Sequence, residues 1–147
     1  MVPVDIDAPS HEAFRFAVKI TKPSDELYLM HIERKIPSIA PVPPFVEEGT
    51  TMVPPELALK LKEEILRECQ SAHRHCKWVQ RKSINGDIAH ELCKFAEHEK
   101  VDQVIMGGRG LGSFGGIILG SVSQAVLKEC RCPVTVVKKS TPESHHF

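Results

Sequence analysis

The sequence predicts an α/β domain of three layers, a five-stranded and mostly parallel sheet with helices on both faces. Three observations predict it. Apolar runs of strand length alternate with segments whose apolar residues recur at helical spacing. The run Leu27 to Ile32 is continuous and apolar apart from His31, as suits a strand covered on both sides. Seven of the nine glycines fall between Gly107 and Gly120, where an apolar run passes through a loop into a helical pattern.

The elements follow in order. Met1 to Asp5 reads as a short strand ending in a carboxylate, and Asp7, Pro9 and Ser10 are helix-start residues. Ala13, Phe16, Ala17 and Ile20 then predict a helix from about Ser10 to Ile20, stopped before Pro23. Leu27 to Ile32 is the second strand. From Pro37 to Pro55 six of the eleven prolines fall in one aperiodic stretch, which reads as a loop, either a cover for a site or a disordered insertion. Ala58, Leu61, Ile65, Cys69, Ala72 and Cys76 mark an amphipathic helix from about Pro55 to His75, with Lys60, Lys62, Glu63, Glu64 and Arg67 on its outer face.

Trp78 to Ile84 alternates as an outer strand, and Gly86-Asp87 opens a helix whose buried stripe is Ile88, Leu92, Phe95 and Ala96. Val101 to Met106 is the strand before the glycines, Gly120 to Cys130 the helix after them, and Val134 to Val137 the last strand. Pro133 holds Cys132 extended and closes the preceding helix.

Parallel sheets of this kind bind ligands beyond the carboxyl ends of their strands, where the strand order reverses. In a Rossmann-like order, 3-2-1-4-5, the reversal falls between strands 1 and 4. Asp5, at the end of one, then faces Gly107, at the end of the other. Glycine permits close backbone approach, and the first turn of the helix after it offers unpaired N–H groups and partial positive charge, so the segment suits phosphate. A carboxylate opposite suits ribose hydroxyls or an adenine amino group. Two plainer readings stand beside these: a glycine-rich connection that only turns the chain, and an Asp5 that only caps the first helix. The helix alone stabilises an anion by about 0.3 to 1 kcal/mol, or up to about 2 when partly buried. Tight binding therefore needs Ser121, Ser123, Arg109 and apolar contacts as well.

Composition narrows the function. A chain of 147 residues reads as one domain, large enough to bury about 68 to 70% of its unfolded surface. Nineteen basic residues balance nineteen acidic ones, which gives no global field toward nucleic acid or anionic membrane. No apolar stretch nears the roughly 20 residues of a membrane span, and the first residues lack a signal peptide's basic and apolar regions, so a cytoplasmic location is expected. Cys69, Cys76, Cys93, Cys130 and Cys132 are odd in number and sit mostly in apolar helical patterns, so reduced thiols are expected rather than disulfides. Cys69, His73 and Cys76 would share a helix face, where ordinary packing is favoured over a metal site. His31 reads as a satisfied core histidine.

The spacing Gly107-x2-Gly110-x9-Gly120-Ser121 matches the G-2x-G-9x-G-(S/T) pattern of the universal stress protein family, and the segment resembles that family's Met-Gly-(Ser)-Arg-Gly and Leu-Leu-Gly-Ser-Val-Ser runs. The resemblance extends to Val2 through Phe14, Asp25 through Ile32, Gly86-Asp87-Ile88 and Arg131 through Val137. It implies an adenine nucleotide alpha hydrolase-like domain over residues 1–140, with 141–147 a disordered tail. It also implies a bound adenine nucleotide, ATP or else AMP or ADP, with Mg2+ as a companion. Asp5 would then contact the ribose or base end beside Pro3, and Ile32 would hold adenine through its backbone. Gly107, Arg109 and Gly110 would wrap the phosphates. Gly120, Ser121, Val122 and Ser123 would complete the cradle from the helix, with Met106 packed beneath. The family further implies homodimers paired through residues 134–137. Ile6 departs from the family's small residue after the aspartate, which would narrow the entrance or shift the turn that aims Asp5.

The loop lacks the G-x-x-x-x-G-K-[ST] motif, so the lysine and metal-binding hydroxyl of a P-loop ATPase are missing as a unit. A nucleotide-binding sensor or regulator is the favoured expectation. A slow magnesium-dependent hydrolase and a dimeric scaffold with an unused pocket are the alternatives.

Overall fold

In the computed structural model of the protein, residues 1–34, 53–83, 85–108 and 119–138 are described. Most of the proline-rich stretch, Arg109, Gly110 and the tail 141–147 lie outside them. The described elements alternate as β1 (Val2–Pro3), α1 (Ala8–Ile20), β2 (Glu26–Arg34), α2 (Pro55–Ser71), β3 (His75–Ser83), α3 (Ile88–His98), β4 (Val104–Gly107), α4 (Ser121–Glu129) and β5 (Val134–Val137).

Local chemistry sets the helix ends. Asp7 caps α1, its carboxylate accepting from the Ser10 N–H at 3.1 Å, and Pro9 sits in the first turn, where its missing N–H costs nothing. At the other end the Thr21 N–H and hydroxyl both donate to the Ala17 carbonyl, at 3.0 and 2.7 Å. α2 ends at Ser71 and not near His75 as expected, because His73 turns left-handed at φ 52°. The His73 N–H then reaches the Gln70 carbonyl and the Arg74 N–H the Cys69 carbonyl, at 3.0 and 3.1 Å, which is a Schellman closure. Lys100, also at φ 52°, closes α3 in the same way through the Ala96 and Glu97 carbonyls. Cys76 therefore belongs to β3, and the helix face expected to carry Cys69, His73 and Cys76 together does not exist.

The strands are parallel throughout. β2 pairs with β1 (Val2 beside Leu29) and with β3 (Leu29 beside Trp78), and β4 pairs with β5 (Val104 beside Val134). Between β1 and β4 the Ile105 N–H donates to the Met1 carbonyl at 2.9 Å, and the Met1 nitrogen donates to the Gln103 carbonyl at 2.7 Å. These bonds join the two ladders in the order 3-2-1-4-5, and the ladder is thin there because β1 has two residues.

Helices cover both faces. Leu27 and Leu29 pack with Val4, Phe14, Leu61 and Ile65 on the α1/α2 side, while Met30 and Ile32 pack with Leu92, Phe95, Met106 and Val126 on the α3/α4 side. His31 is buried with its Nδ1 3.0 Å from the Val4 carbonyl and its ring stacked 6.1 Å from Trp78. Its Nε2 has no partner among the described residues, so the core histidine is satisfied at one nitrogen only. Outside the core, Lys77 meets Glu26 at 2.9 Å. That contact holds the Glu26 carboxyl below its usual range and the Lys77 ammonium above it. No helix among the described residues is long and apolar enough to cross a membrane.

The cysteines overturn the expectation of unpaired thiols. Cys69 is bonded to Cys76 and Cys93 to Cys130, with Cα separations of 6.5 and 4.8 Å, and Cys132 is free. Both separations lie in the range a disulfide requires.

The end of β4 leaves no room for a side chain. A Cβ on Gly107 would overlap the Pro9 carbonyl oxygen and lie 2.5 Å from its carbonyl carbon. Gly107→Ala must push the start of α1 off the sheet, at a cost of about 1 to 3 kcal/mol. Urea unfolding should show this as a lower midpoint with unchanged slope; an unmoved midpoint would mean the first turn of α1 yields freely.

Candidate functional site

An open cleft with a solvent-accessible volume of about 180 Å3 lies beyond the carboxyl ends of β1, β2 and β4. It is the place the reversed strand order requires. Each of its sides is built by a different element.

The β1 side carries Pro3 and Asp5. The turn after β1 is held by Ser10, whose hydroxyl donates to the Asp5 carbonyl at 2.7 Å and accepts from the Asp5 N–H at 2.9 Å. The Asp5 carboxylate accepts from the Ile6 N–H at 2.8 Å and is half-buried at the cleft. Asp7 caps α1, so the helix-capping reading of Asp5 falls to its neighbour. Ile6 is 53% exposed, turned away from the core and not among the residues lining the cleft.

The β4 and α4 side carries Met106, Gly107, Gly120, Ser121, Val122 and Ser123. Gly120 is the N-cap of α4 with an extended backbone (φ −66°, ψ 162°), and no side chain caps the helix. The N–H groups of its first turn are the orphan donors of a helix start, and they stand at the cleft with the positive end of the helix dipole. Ser123 is buried, and its hydroxyl donates to the Gly107 carbonyl at 3.3 Å. It therefore ties α4 to the end of β4 while lining the cleft.

The third side is apolar. Met30 and Ile32 from β2 face Ile88 and Leu92 from α3, with Met106 between. The sequence reading of the site named Ile32 and Met106 and missed the others. Ile88 and Leu92 stood out only as a buried stripe, yet α3 begins at the same end of the sheet, and its first turns must overhang the cleft. Arg34 was missed because the strand was drawn to stop at Ile32, whereas β2 runs two residues further. It is the cation among the described lining residues, opposite the carboxylates of Asp5 and Asp7. Gly108, whose added Cβ would come 2.9 Å from Val136 Cγ1, was missed as well.

Of the eleven expected site residues, Pro3, Asp5, Ile32, Met106, Gly107, Gly120, Ser121, Val122 and Ser123 gather at this cleft, and Arg109 and Gly110 fall outside the described residues. Among the described residues no three His, Cys, Asp or Glu side chains gather as a metal site would require. The lining thus combines the N–H donors of a helix start, a carboxylate and an apolar wall.

The family model of the universal stress protein family matches residues 1–138. Universal stress protein MJ0531 of Methanocaldococcus jannaschii is 32% identical over 150 residues, which cover 97% of this chain and 83% of that protein. Among solved structures, a universal stress protein family protein from Arabidopsis thaliana with AMP bound matches with a TM-score of 0.63 at 20% identity, over 99% of this chain and 94% of the other. A universal stress protein in complex with cAMP matches with a TM-score of 0.65 at 19% identity, over 95% and 94%. At such identities the two structures establish the fold.

The separate duties of the two aspartates can be measured. Asp7→Ala removes a helix cap and should cost about 1 kcal/mol of stability. Asp5→Asn keeps its contacts to Ser10, which run through the backbone, and should cost less than half of that in the same thermal melts; equal losses would show that Asp5 too is a structural residue.

Proposed function

The chain belongs to the universal stress protein family, and from that premise we propose that its cleft binds an adenine nucleotide, ATP by preference, and that the protein acts as a nucleotide-dependent sensor or regulator of a stress response in the cytoplasm. The observation that carries the reading is that the start of α4, uncapped by any side chain among the described residues, lines one cleft together with Asp5 and an apolar wall. Orphan N–H donors at a helix start suit phosphate oxygens. Met30, Ile32, Ile88 and Leu92 suit the faces of a purine, and Asp5 suits the hydroxyls or amino group between.

Residue by residue, the proposal gives Pro3, Asp5 and Ile32 to the base and ribose, with Met106 beneath. Gly107, Arg109, Gly110, Gly120, Ser121, Val122 and Ser123 are given to the phosphates. The preference for ATP rests on the glycine spacing, which in this family accompanies ATP binding, and Mg2+ enters only as a companion of the phosphates. The AMP and cAMP of the two structural relatives are adenine nucleotides, which supports the base pocket more than the count of phosphates. The proposed unit is the domain 1–140, paired as a homodimer through β5. Among the described strands it pairs with β4 alone, and it is half-buried along its length, which leaves an edge for a partner to cover.

Calorimetry with ATP, ADP, AMP and cAMP, on protein freed of nucleotide by unfolding and refolding, tests the reading directly. Ser121→Asp separates binding from folding. An acidic residue in the first turn stabilises a helix by about 0.3 to 1 kcal/mol, yet it sets a negative charge where the phosphate must sit. The variant should melt no lower than the parent and bind ATP at least about tenfold more weakly, a loss of about 1.4 kcal/mol. Unchanged affinity would remove α4 from the phosphate site.

A further inference from the structure

A second open cleft, with a solvent-accessible volume of about 600 Å3, is lined by α3 and the residues around the end of α4. Cys93 and Cys132 line it together with Lys94, Lys100, Arg131 and Glu97. Cys93, Cys130 and Cys132 are all half-buried, and Cys93 and Cys132 stand at the cleft wall. The lining also holds Glu129, so three cations face two carboxylates, and with Arg131 meeting Glu97 at 2.9 Å it is Lys94 and Lys100 that suit a small molecule carrying carboxylates.

What the bond between Cys93 and Cys130 holds together gives it meaning. Cys93 follows Leu92, which lines the first cleft, and Cys130 is the C-cap of α4, whose first turn lines the same cleft. The two cysteines are 37 residues apart, and between them lie β4, the whole glycine-rich segment and α4. α4 has nine residues, so it is a rod of about 13 Å at 1.5 Å per residue. Fixing one end of so short a rod against α3 helps fix the other, where the orphan N–H groups stand.

We propose that the second cleft is a thiol-exchange site for a small carboxylate-bearing thiol and its disulfide, and that it opens and closes the Cys93–Cys130 bond as a clamp on the nucleotide cleft. To open it, a small thiolate attacks the Sγ of Cys93, the bonded cysteine of the pair that lines the cleft. A mixed disulfide forms on Cys93, the bond to Cys130 breaks, and Cys130 leaves as a thiolate that takes a proton from water. A second small thiolate attacks the small molecule's sulfur in that mixed disulfide and releases the Cys93 thiolate, which is protonated in turn. Two small thiols are oxidised to one disulfide while the protein bond is reduced by two electrons, and closure is the reverse. The other pair, Cys69 with Cys76, lies on the α1/α2 side and touches neither cleft.

The test uses the full chain with Cys69, Cys76 and Cys132 replaced by serine, so that one pair remains, equilibrated in glutathione buffers of stepped ratio. Alkylation followed by mass spectrometry reads the bond, amide hydrogen exchange reads residues 120–123, and calorimetry reads ATP. The bond should form in oxidised buffer and be lost in reduced buffer. Its loss should speed exchange at 120–123 and weaken ATP by between about fivefold and a hundredfold. A further Cys93→Ser change should leave both readings at the reduced level in every buffer. Full alkylation of Cys93 and Cys130 in oxidised glutathione would overturn the proposal. So would equal exchange at 120–123 in the two states, or a response that survives Cys93→Ser. Only the affinity reading rests on the nucleotide assignment: exchange that follows the bond while ATP binds in neither state would sink that assignment and leave the clamp standing.

Discussion

The cleft depends on one close approach, Gly107 against the backbone of Pro9. At that point the end of β4 and the start of α1 come closer than any side chain allows. The same glycine's carbonyl accepts the Ser123 hydroxyl, which draws the start of α4 to the same place. Three chain segments far apart in sequence are thus fixed by one residue that has no side chain. The seam between β1 and β4 needs this support, since β1 has only two residues and two hydrogen bonds carry the crossing. Fully paired strands would hold that seam by themselves, but they would fill the gap in which a ligand can lie.

The fold was legible because its signals are local and repeated. The continuous apolar run of β2 and the helical stripes of α1, α2 and α3 name their own surroundings, and five strands alternating with four helices leave few ways to fold. The ends of α2 and α3 were harder to read. Both helices close on a residue in the left-handed region that is not glycine, His73 and Lys100. Composition marks such a turn only when glycine makes it.

Most of the site was legible for a different reason, that parallel sheets place strand ends at one edge. Asp5 and Gly107 were both recognisable as strand ends, so topology joined them before any coordinate did. Arg34 shows the converse: its strand end was misplaced by two residues, and the residue dropped out of view. Asp5 and Asp7 show where spacing runs out, since either could cap α1, and only the bond from the Ser10 N–H decides for Asp7. The disulfides were invisible for a deeper reason. Cys93 and Cys130 are 37 residues apart and meet through the packing of α3 on α4, which no pattern along the chain records.

Energetics set what a nucleotide proposed for this cleft would require of its walls. Micromolar affinity needs about 8 kcal/mol, and a helix start contributes at most about 2. Apolar contact returns about 25 cal/mol per Å2, so burying on the order of 100 Å2 of a purine adds about 2.5. No single wall of the cleft reaches the total, and among the described lining residues Asp5 and Asp7 would repel phosphate while Arg34 would attract it. Binding must therefore be a sum over β1, β2, α3 and α4 in register. A site built as a sum loses affinity when any one wall shifts. A wall as short as α4, anchored by Ser123 near one end and a disulfide at the other, is the part whose shift would be felt most.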